Sequence, residues 1–114
     1  MENNNLSHDT LVEIYIKAWN TLDASVLEPY LAEDFTYGSM WVFSDLNGKD
    51  AYMEYISGKF NAIKESGSKV AAEKGISPQT GTSRVQLLQD GHRGAKIDVV
   101  SENGKMKSAY MHDL

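Results

Sequence analysis

Residues 97–111 read IDVVSENGKMKSAYM, and the way this stretch pairs decides what the chain folds into. Asn103-Gly104 between two alternating runs is the strongest short hairpin signal in the chain, because a two-residue turn with positive φ at both positions suits the twist of the flanking strands. Such a turn sets Glu102 against Lys105, and counting outward places Val99 opposite Ser108, Asp98 opposite Ala109 and Ile97 opposite Tyr110. Upstream, Asp90-Gly91-His92 separates the strand-like runs Thr82–Gln89 and Gly94–Ser101 and allows two registers. A three-residue loop with Gly91 left-handed would set Arg84 across from Asp98 and gather Val85, Leu87, Ala95, Ile97, Val99 and Tyr110 on one face. A two-residue loop would scramble that separation. Register follows the hydrophobic pattern where a face is buried, which favours the three-residue loop. The other face then carries Arg84, Gln86, Lys96 and Asp98 among Leu88, Val100, Ala109 and Met111. It is either a solvated face with an ordinary cross-strand ion pair or a pocket wall with a few convergent polar groups.

Working outward, Lys69–Gly75 reads as a further strand, set off by SPQTG at 77–81. The N-terminal half changes period. From Ser7, apolar residues at Leu11, Ile14, Tyr15, Ala18, Trp19 and Leu22 mark one helix face, with Ser7 as N-cap and Asp9 in the first turn. Asp23 restarts the chain, and Val26, Leu27, Tyr30 and Leu31 predict a second, short helix that tolerates Pro29 only near its start. Glu33 and Asp34 read as the end of that helix turning into a strand through Phe35 and Tyr37, extending to Trp41–Phe43. SDLNGKD at 44–50 is a turn leading into a third helix over about Gly48–Glu65, with Tyr52, Ile56, Phe60 and Ile63 as its core face. Residues 1–6 read as a loose tail. Helices first and a meander last give one α+β domain over 1–114. Its strongly curved, mixed and mostly antiparallel sheet wraps around a long helix as a cone.

The chain has 114 residues, enough to bury about two-thirds of the surface its unfolded form exposes. It has no cysteine, which removes thiol nucleophiles and thiolate metal sites. Sixteen acids against 11 Lys and Arg give a net charge of −5 without a basic stripe, so nucleic acid is not an expected partner. No apolar run approaches the roughly 20 residues of a membrane span, and the polar start MENNNLSHD lacks a signal-like apolar region. A soluble, cytoplasmic protein is expected. His8, His92 and His112 have no short ligand spacing, so no metal site is expected. No phosphate-cradling glycine loop is present and no cofactor is expected. Tyr15, Trp19, Tyr30, Phe35, Tyr37, Tyr52 and Phe60 sit at core spacing, and their tyrosines bring more polar handles than a dry core needs. Some should reach a cavity or water.

With YIKAWN at 15–20, LDASVLEPYLAEDFTY at 22–37, NGKDAYMEYISGKF at 47–60 and the closing IDVVSENGKMKSAYM, the chain resembles the nuclear transport factor 2-like superfamily, including the SnoaL-like proteins. The resemblance covers nearly the whole chain. It implies a cystatin-like cone with a pocket between sheet and helix, commonly dimerised through the outer sheet face. It marks fold more firmly than chemistry, since isomerases, hydrolases, dehydratases and pure binding modules share this scaffold. In the ketosteroid isomerase pattern a first-helix tyrosine and a late-strand aspartate form an oxyanion hole, and Tyr15 and Asp98 stand at similar positions. Ser39 occupies the place of the general base, and a serine hydroxyl takes no proton at neutral pH without a base of its own. In the epoxide hydrolase pattern an arginine between two aspartates activates water; Arg84 is present, but Gln86 and Met111 stand where the acids would be.

The sequence therefore reads as a small-molecule-binding protein. Its pocket is expected to be lined by Tyr15, Trp19, Tyr37, Ser39, Phe60, Arg84, Asp98 and Met111, to take a small apolar or amphipathic molecule, and to belong to a homodimer built through the sheet. The alternatives are an isomerase-, dehydratase- or hydrolase-type enzyme using Asp98, Tyr15 and Tyr37, or an interaction module presenting its sheet face. Inside an apolar pocket the Asp98 carboxyl is expected to titrate high, unless Arg84 lies opposite and pulls it down.

Overall fold

A computed structural model describes residues 7–40 and 45–112. The expected tail at 1–6 and the strand expected at Trp41–Phe43 lie outside the described residues. The first helix, α1 (His8–Thr21), begins where expected: the Ser7 side chain accepts the Thr10 N–H at 3.1 Å. Leu11, Val12, Tyr15, Ala18 and Trp19 form its buried stripe, the recurrence that a 3.6-residue period requires. The helix stops at Leu22, whose φ of 53° puts a non-glycine residue in the left-handed region.

The short helix expected after Asp23 is realised as two successive 3-10 turns, Ala24–Val26 and Glu28–Tyr30. Asp23 caps the first through the Ser25 N–H, and Pro29 stands at the start of the second. Proline has no N–H to donate and crowds the preceding carbonyls, so a continuous helix cannot run through it. The chain is consequently extended sooner than expected. Strand β1 (Leu31–Ser39) already contains Glu33 and Asp34, which are exposed strand residues and not a helix end. Asp34 pairs with Lys107 of a neighbouring strand.

The remaining elements are β2 (Leu46–Asn47), α2 (Lys49–Ser66), β3 (Val70–Ile76), β4 (Ser83–Gln89), β5 (His92–Glu102) and β6 (Lys105–His112). Among the described residues they form one mixed sheet in the order β2-β1-β6-β5-β4-β3, open at both edges, with only the β1–β6 pair parallel. Helix α1 packs against β3, β4 and β5, and α2 against β1 and β2. The helices thus share the inner face and draw the two ends of the sheet around a common core. At the β3 edge the Asn20 carboxamide bonds both the N–H and the C=O of Ala72, at 2.7 and 3.1 Å. It stands where a further strand would pair and so blunts that edge.

Each of the two last hairpins contains a bulge. In β5–β6 the two-residue turn holds, with Glu102 opposite Lys105 and Asn103 and Gly104 at φ of 54° and 77°. Ser101 faces Met106 but Val100 faces Ser108, so Lys107 is an extra residue in β6. Every later partner moves by one: Asp98 faces Tyr110 and Ile97 faces Met111, correcting the expected pairs. Tyr110 and Met111 exchange faces; Met111 is buried and Tyr110 is 47 % exposed. In β4–β5 the loop is the two-residue one, with Gln89 opposite His92 and positive φ at Asp90 and Gly91. A shift between Leu88–Arg93 and Gln86–Lys96 inserts an extra residue at Gly94–Ala95. This restores the register that brings Arg84 to Asp98. The Gln86 amide fills the bulge, donating to the carbonyls of Leu87, Gly94 and Ala95 at 3.0–3.3 Å.

Candidate functional site

The inner face carries two adjoining features. The first is a sealed aromatic cluster. Tyr15 from α1 and Tyr52 from α2 are fully buried, and their hydroxyls hydrogen-bond each other. Tyr37 of β1 packs its ring on Tyr52 and Tyr55, with centroids 5.0 and 5.4 Å apart, and Phe35 packs on Tyr52 at 4.8 Å. Period-2 alternation in β1 aims Phe35, Tyr37 and Ser39 at the helices together, and all three are buried. Burial raises the Tyr15 phenol well above its ordinary range, although Tyr52 and Trp19 partly offset this. Burial also raises Tyr37 and Tyr52, and the neighbouring tyrosines add to the effect. All three phenols are therefore neutral at physiological pH and can donate a hydrogen bond, but none can act as a base there. Tyr55 lies near enough to the Tyr37 hydroxyl to raise it further, and the Ser39 side chain near enough to offset part of that rise. Among the described residues, though, neither the Tyr37 hydroxyl nor Trp19 Nε1 has a partner in hydrogen-bond geometry.

The second feature is a cleft of about 620 Å³ where the C-terminal half of α2 stands off the β3–β5 end of the sheet. Trp19, Leu87 and Met111 form its buried lining, and Ile63, Val70 and Ala95 continue the apolar surface outward. Lys59, Ser66, Ser68, Gln89 and Arg93 supply the polar lining. Trp19 links the two features, since its ring also meets Phe60 edge-on at 5.0 Å. Among the described residues, no group of three or more His, Asp or Glu converges as a metal-ligand set.

The outer face holds a different constellation. Arg84 Nε and Nη2 donate to the two carboxylate oxygens of Asp98 at 2.9 and 3.2 Å, and His112 Nε2 lies 2.7 Å from Asp98 Oδ2. Burial by itself would raise the Asp98 carboxyl, but hydrogen bonds and charge from Arg84 and His112 outweigh it and hold the pKa below its ordinary value. That is the alternative foreseen for Asp98 with Arg84 opposite.

Tyr15, Tyr37, Ser39, Trp19 and Phe60 thus come together on the inner face, and Trp19 and Met111 line the cleft. Arg84 and Asp98 meet each other but not that group. Their strand neighbours Val85, Ile97 and Val99 occupy the core face, and alternation sends Arg84 and Asp98 to the opposite side. Tyr15 and Asp98 therefore cannot share an oxyanion hole. Sequence reasoning passed over Lys59, Ile63, Leu87 and Arg93 as cleft residues. The α2 spacing of Lys59, Ile63 and Ser66 could have shown a stripe, but nothing local shows that it shares a cleft with Leu87 of β4.

No protein-family model and no curated protein sequence matches the chain. Solved structures do. An NTF2-like protein of unknown function from Mesorhizobium loti superposes with a TM-score of 0.71 at 12 % identity, over 93 % of this chain and 89 % of that one. A SnoaL-like protein of unknown function from Burkholderia thailandensis gives 0.70 at 15 % identity, over 93 % and 92 %. An LEH-like epoxide hydrolase from M. tuberculosis gives 0.56 at 14 % identity, over 92 % and 80 %. At these identities the likeness is one of architecture: the chain has the α+β fold of the NTF2-like and SnoaL-like proteins.

Proposed function

We propose that the chain is a cytoplasmic small-molecule-binding protein that holds an apolar or amphipathic ligand in the cleft between α2 and the β3–β5 end of the sheet. The cleft carries this reading. Its volume of about 620 Å³ falls within the range of sites for drug-sized molecules, which are mostly apolar with a few polar groups. Titration with a neutral solvatochromic naphthalene ketone dye should give a saturable blue shift. Ala62→Trp, at an exposed α2 position on the cleft wall, should fill the space and abolish that shift. An absent shift, or one unchanged by the substitution, would defeat the reading.

A homodimer through the outer sheet face belongs to the same proposal. Met40, Val100 and Tyr110 are 53, 54 and 47 % exposed there, and a sheet whose other face is already covered by helices gains most by burying such residues against a second copy. Sedimentation at micromolar concentration should show about twice the 12.7 kDa chain mass; a monomer throughout would remove the dimer.

The buried Tyr37 hydroxyl, which has no partner in hydrogen-bond geometry among the described residues, favours one second reading, an enzyme of isomerase, dehydratase or hydrolase type in which Tyr15 and Tyr37 donate to a substrate oxygen. Hydrolysis of styrene oxide or isomerisation of a β,γ-unsaturated ketone, lost in Tyr37→Phe, would support it. Equal rates in both proteins would take Tyr37 out of the chemistry.

A further inference from the structure

At the other end of the strands that line the cleft, the start of α1 meets the sheet through side chains that the proposed binding site does not use. Val85 and Val99 face the core, so alternation turns Ser83 of β4 and Ser101 of β5 to that same side. His8 of α1 bridges the two. Its Nε2 lies 2.9 Å from the Ser83 carbonyl oxygen, and its Nδ1 lies 2.8 Å from Ser101 Oγ. A carbonyl only accepts, so Nε2 carries the hydrogen of the neutral imidazole and Nδ1 is left with a lone pair aimed at Ser101. The Ser101 hydroxyl is therefore the donor. The hydroxyl of buried Ser83 donates in turn to Asp9 Oδ1, which ties the orienting strand end to the first turn of α1. His8 and Ser101 are each half-buried, so a small reagent in solution can reach them.

We propose that Ser101 is a nucleophile with His8 as its general base, forming a second site, independent of the cleft, for acyl transfer from compact activated esters. The pair holds the relation that this chemistry needs: a hydroxyl within hydrogen-bond reach of one ring nitrogen, while a third group pins the other. Ser101 Oγ bonds to the ester carbonyl carbon as its proton passes to His8 Nδ1. When the tetrahedral adduct collapses, the ester C–O bond breaks and that proton goes to the departing oxygen. Water deprotonated by His8 then releases the acid and restores the serine. The orienting group is a neutral carbonyl, which stabilises an imidazolium less than a carboxylate would. A good leaving group is therefore required, and the half-burial of Ser101 favours compact acyl groups. A hydrogen bond that only tied the helix to the sheet would leave Ser101 no more reactive than any other serine.

Incubation of the whole chain with diisopropyl fluorophosphate, followed by peptide mass spectrometry, reads the nucleophile directly. The Ser101 oxygen–phosphorus bond forms, the phosphorus–fluorine bond breaks, and the proton leaves with fluoride by way of His8. Ser101 should carry the adduct, formed about a hundredfold faster than in His8→Gln. Exposed Ser66, whose hydroxyl donates to the Ile63 carbonyl, should stay unmodified; this comparison within one protein needs no variant. With para-nitrophenyl acetate the natural protein should release a stoichiometric burst of nitrophenolate that Ser101→Ala lacks. Circular dichroism would verify that both variants fold, and Ala62→Trp should label at the natural rate. A chain that resists the reagent, an adduct on another residue, equal labelling in His8→Gln, or a burst that survives Ser101→Ala would overturn the proposal. Loss of labelling in Ala62→Trp would put the reactive group at the cleft and overturn it too.

Discussion

On the inner face of the sheet the hydroxyls of Tyr15, Tyr37 and Tyr52 are sealed in a neutral aromatic cluster, whereas on the outer face Arg84, Asp98 and His112 form an ionic group with one side open to water. Both regions hold polar atoms out of bulk solvent, by different means. The inner one keeps its groups uncharged, so burial costs only what hydroxyls cost, and one mutual hydrogen bond covers part of it. The outer one buries a guanidinium with a side chain only 6 % exposed and compensates its charge with a carboxylate that is itself 41 % exposed. Neutral groups can line a ligand site without repelling an apolar ligand. A compensated ion pair is suited to structure and to an interface.

The comparison can be broken experimentally, and the inner face should give the largest effect. Phe60→Ala removes the ring against Trp19 and should cost about 3–5 kcal/mol in urea unfolding. A loss under about 1 kcal/mol would mean that the cluster is loosely packed. On the outer face, Asp98→Ala strands the buried Arg84 charge and should cost about 2 kcal/mol, less than a fully buried pair because the carboxylate is part-exposed. Adding Arg84→Met to that variant should recover most of the loss. If the double variant is no better than the single one, the cost lies in packing and not in the unpaired charge.

Tyr15→Phe comes next, at about 1–2 kcal/mol, since it leaves the Tyr52 hydroxyl buried with its partner gone. The same two regions should govern opposite flanks of the pH–stability profile. Asp98 has a lowered folded-state pKa, so its contribution is complete above its ordinary value near 3.8 and fades as pH falls through the folded value; Asp98→Asn should flatten the acid flank. The tyrosines have raised folded-state values, so their contribution is complete below the ordinary value of 10.0 and fades as pH rises beyond it; Tyr15→Phe should flatten the alkaline flank. Exchanged effects would invert the assignment of the two faces. The smallest change belongs to Asp34→Ala. It breaks an ion pair with Lys107 in which the side chains are 71 and 38 % exposed, and should leave the urea midpoint essentially unchanged, because solvent screens such a pair.

Much of this architecture is legible locally. The stripe from Leu11 to Trp19 and the cap at Ser7 define α1 without reference to anything distant, and Tyr52, Ile56 and Phe60 do the same for α2. Asn103-Gly104 marks its turn because few other pairs accept positive φ twice. The Lys107 and Gly94–Ala95 bulges carry no comparable local mark. Each inserts one residue into a ladder, and each reverses which side chains meet the core: Tyr110 and Met111 changed faces at the first, while the second restored an Arg84–Asp98 pairing that the turn alone would have lost. Pro29 was visible, but its consequence, two 3-10 turns and an earlier strand, depended on where Leu31 could reach its partner Met106.

The sequence by itself determined the α+β class, the order of the principal helices and strands, and the aromatic stock of the core, because these follow from periods of 3.6 and 2 and from turn chemistry that acts over a few residues. Only the tertiary structure decided which sheet face the helices cover. That choice makes Tyr15, Tyr37 and Ser39 neighbours, separates them from Arg84 and Asp98, and brings Lys59, Leu87 and Met111 to one cleft. It depends on burying the largest apolar area across elements distant in sequence, and a shift of one residue in a ladder reverses the outcome for every side chain beyond it.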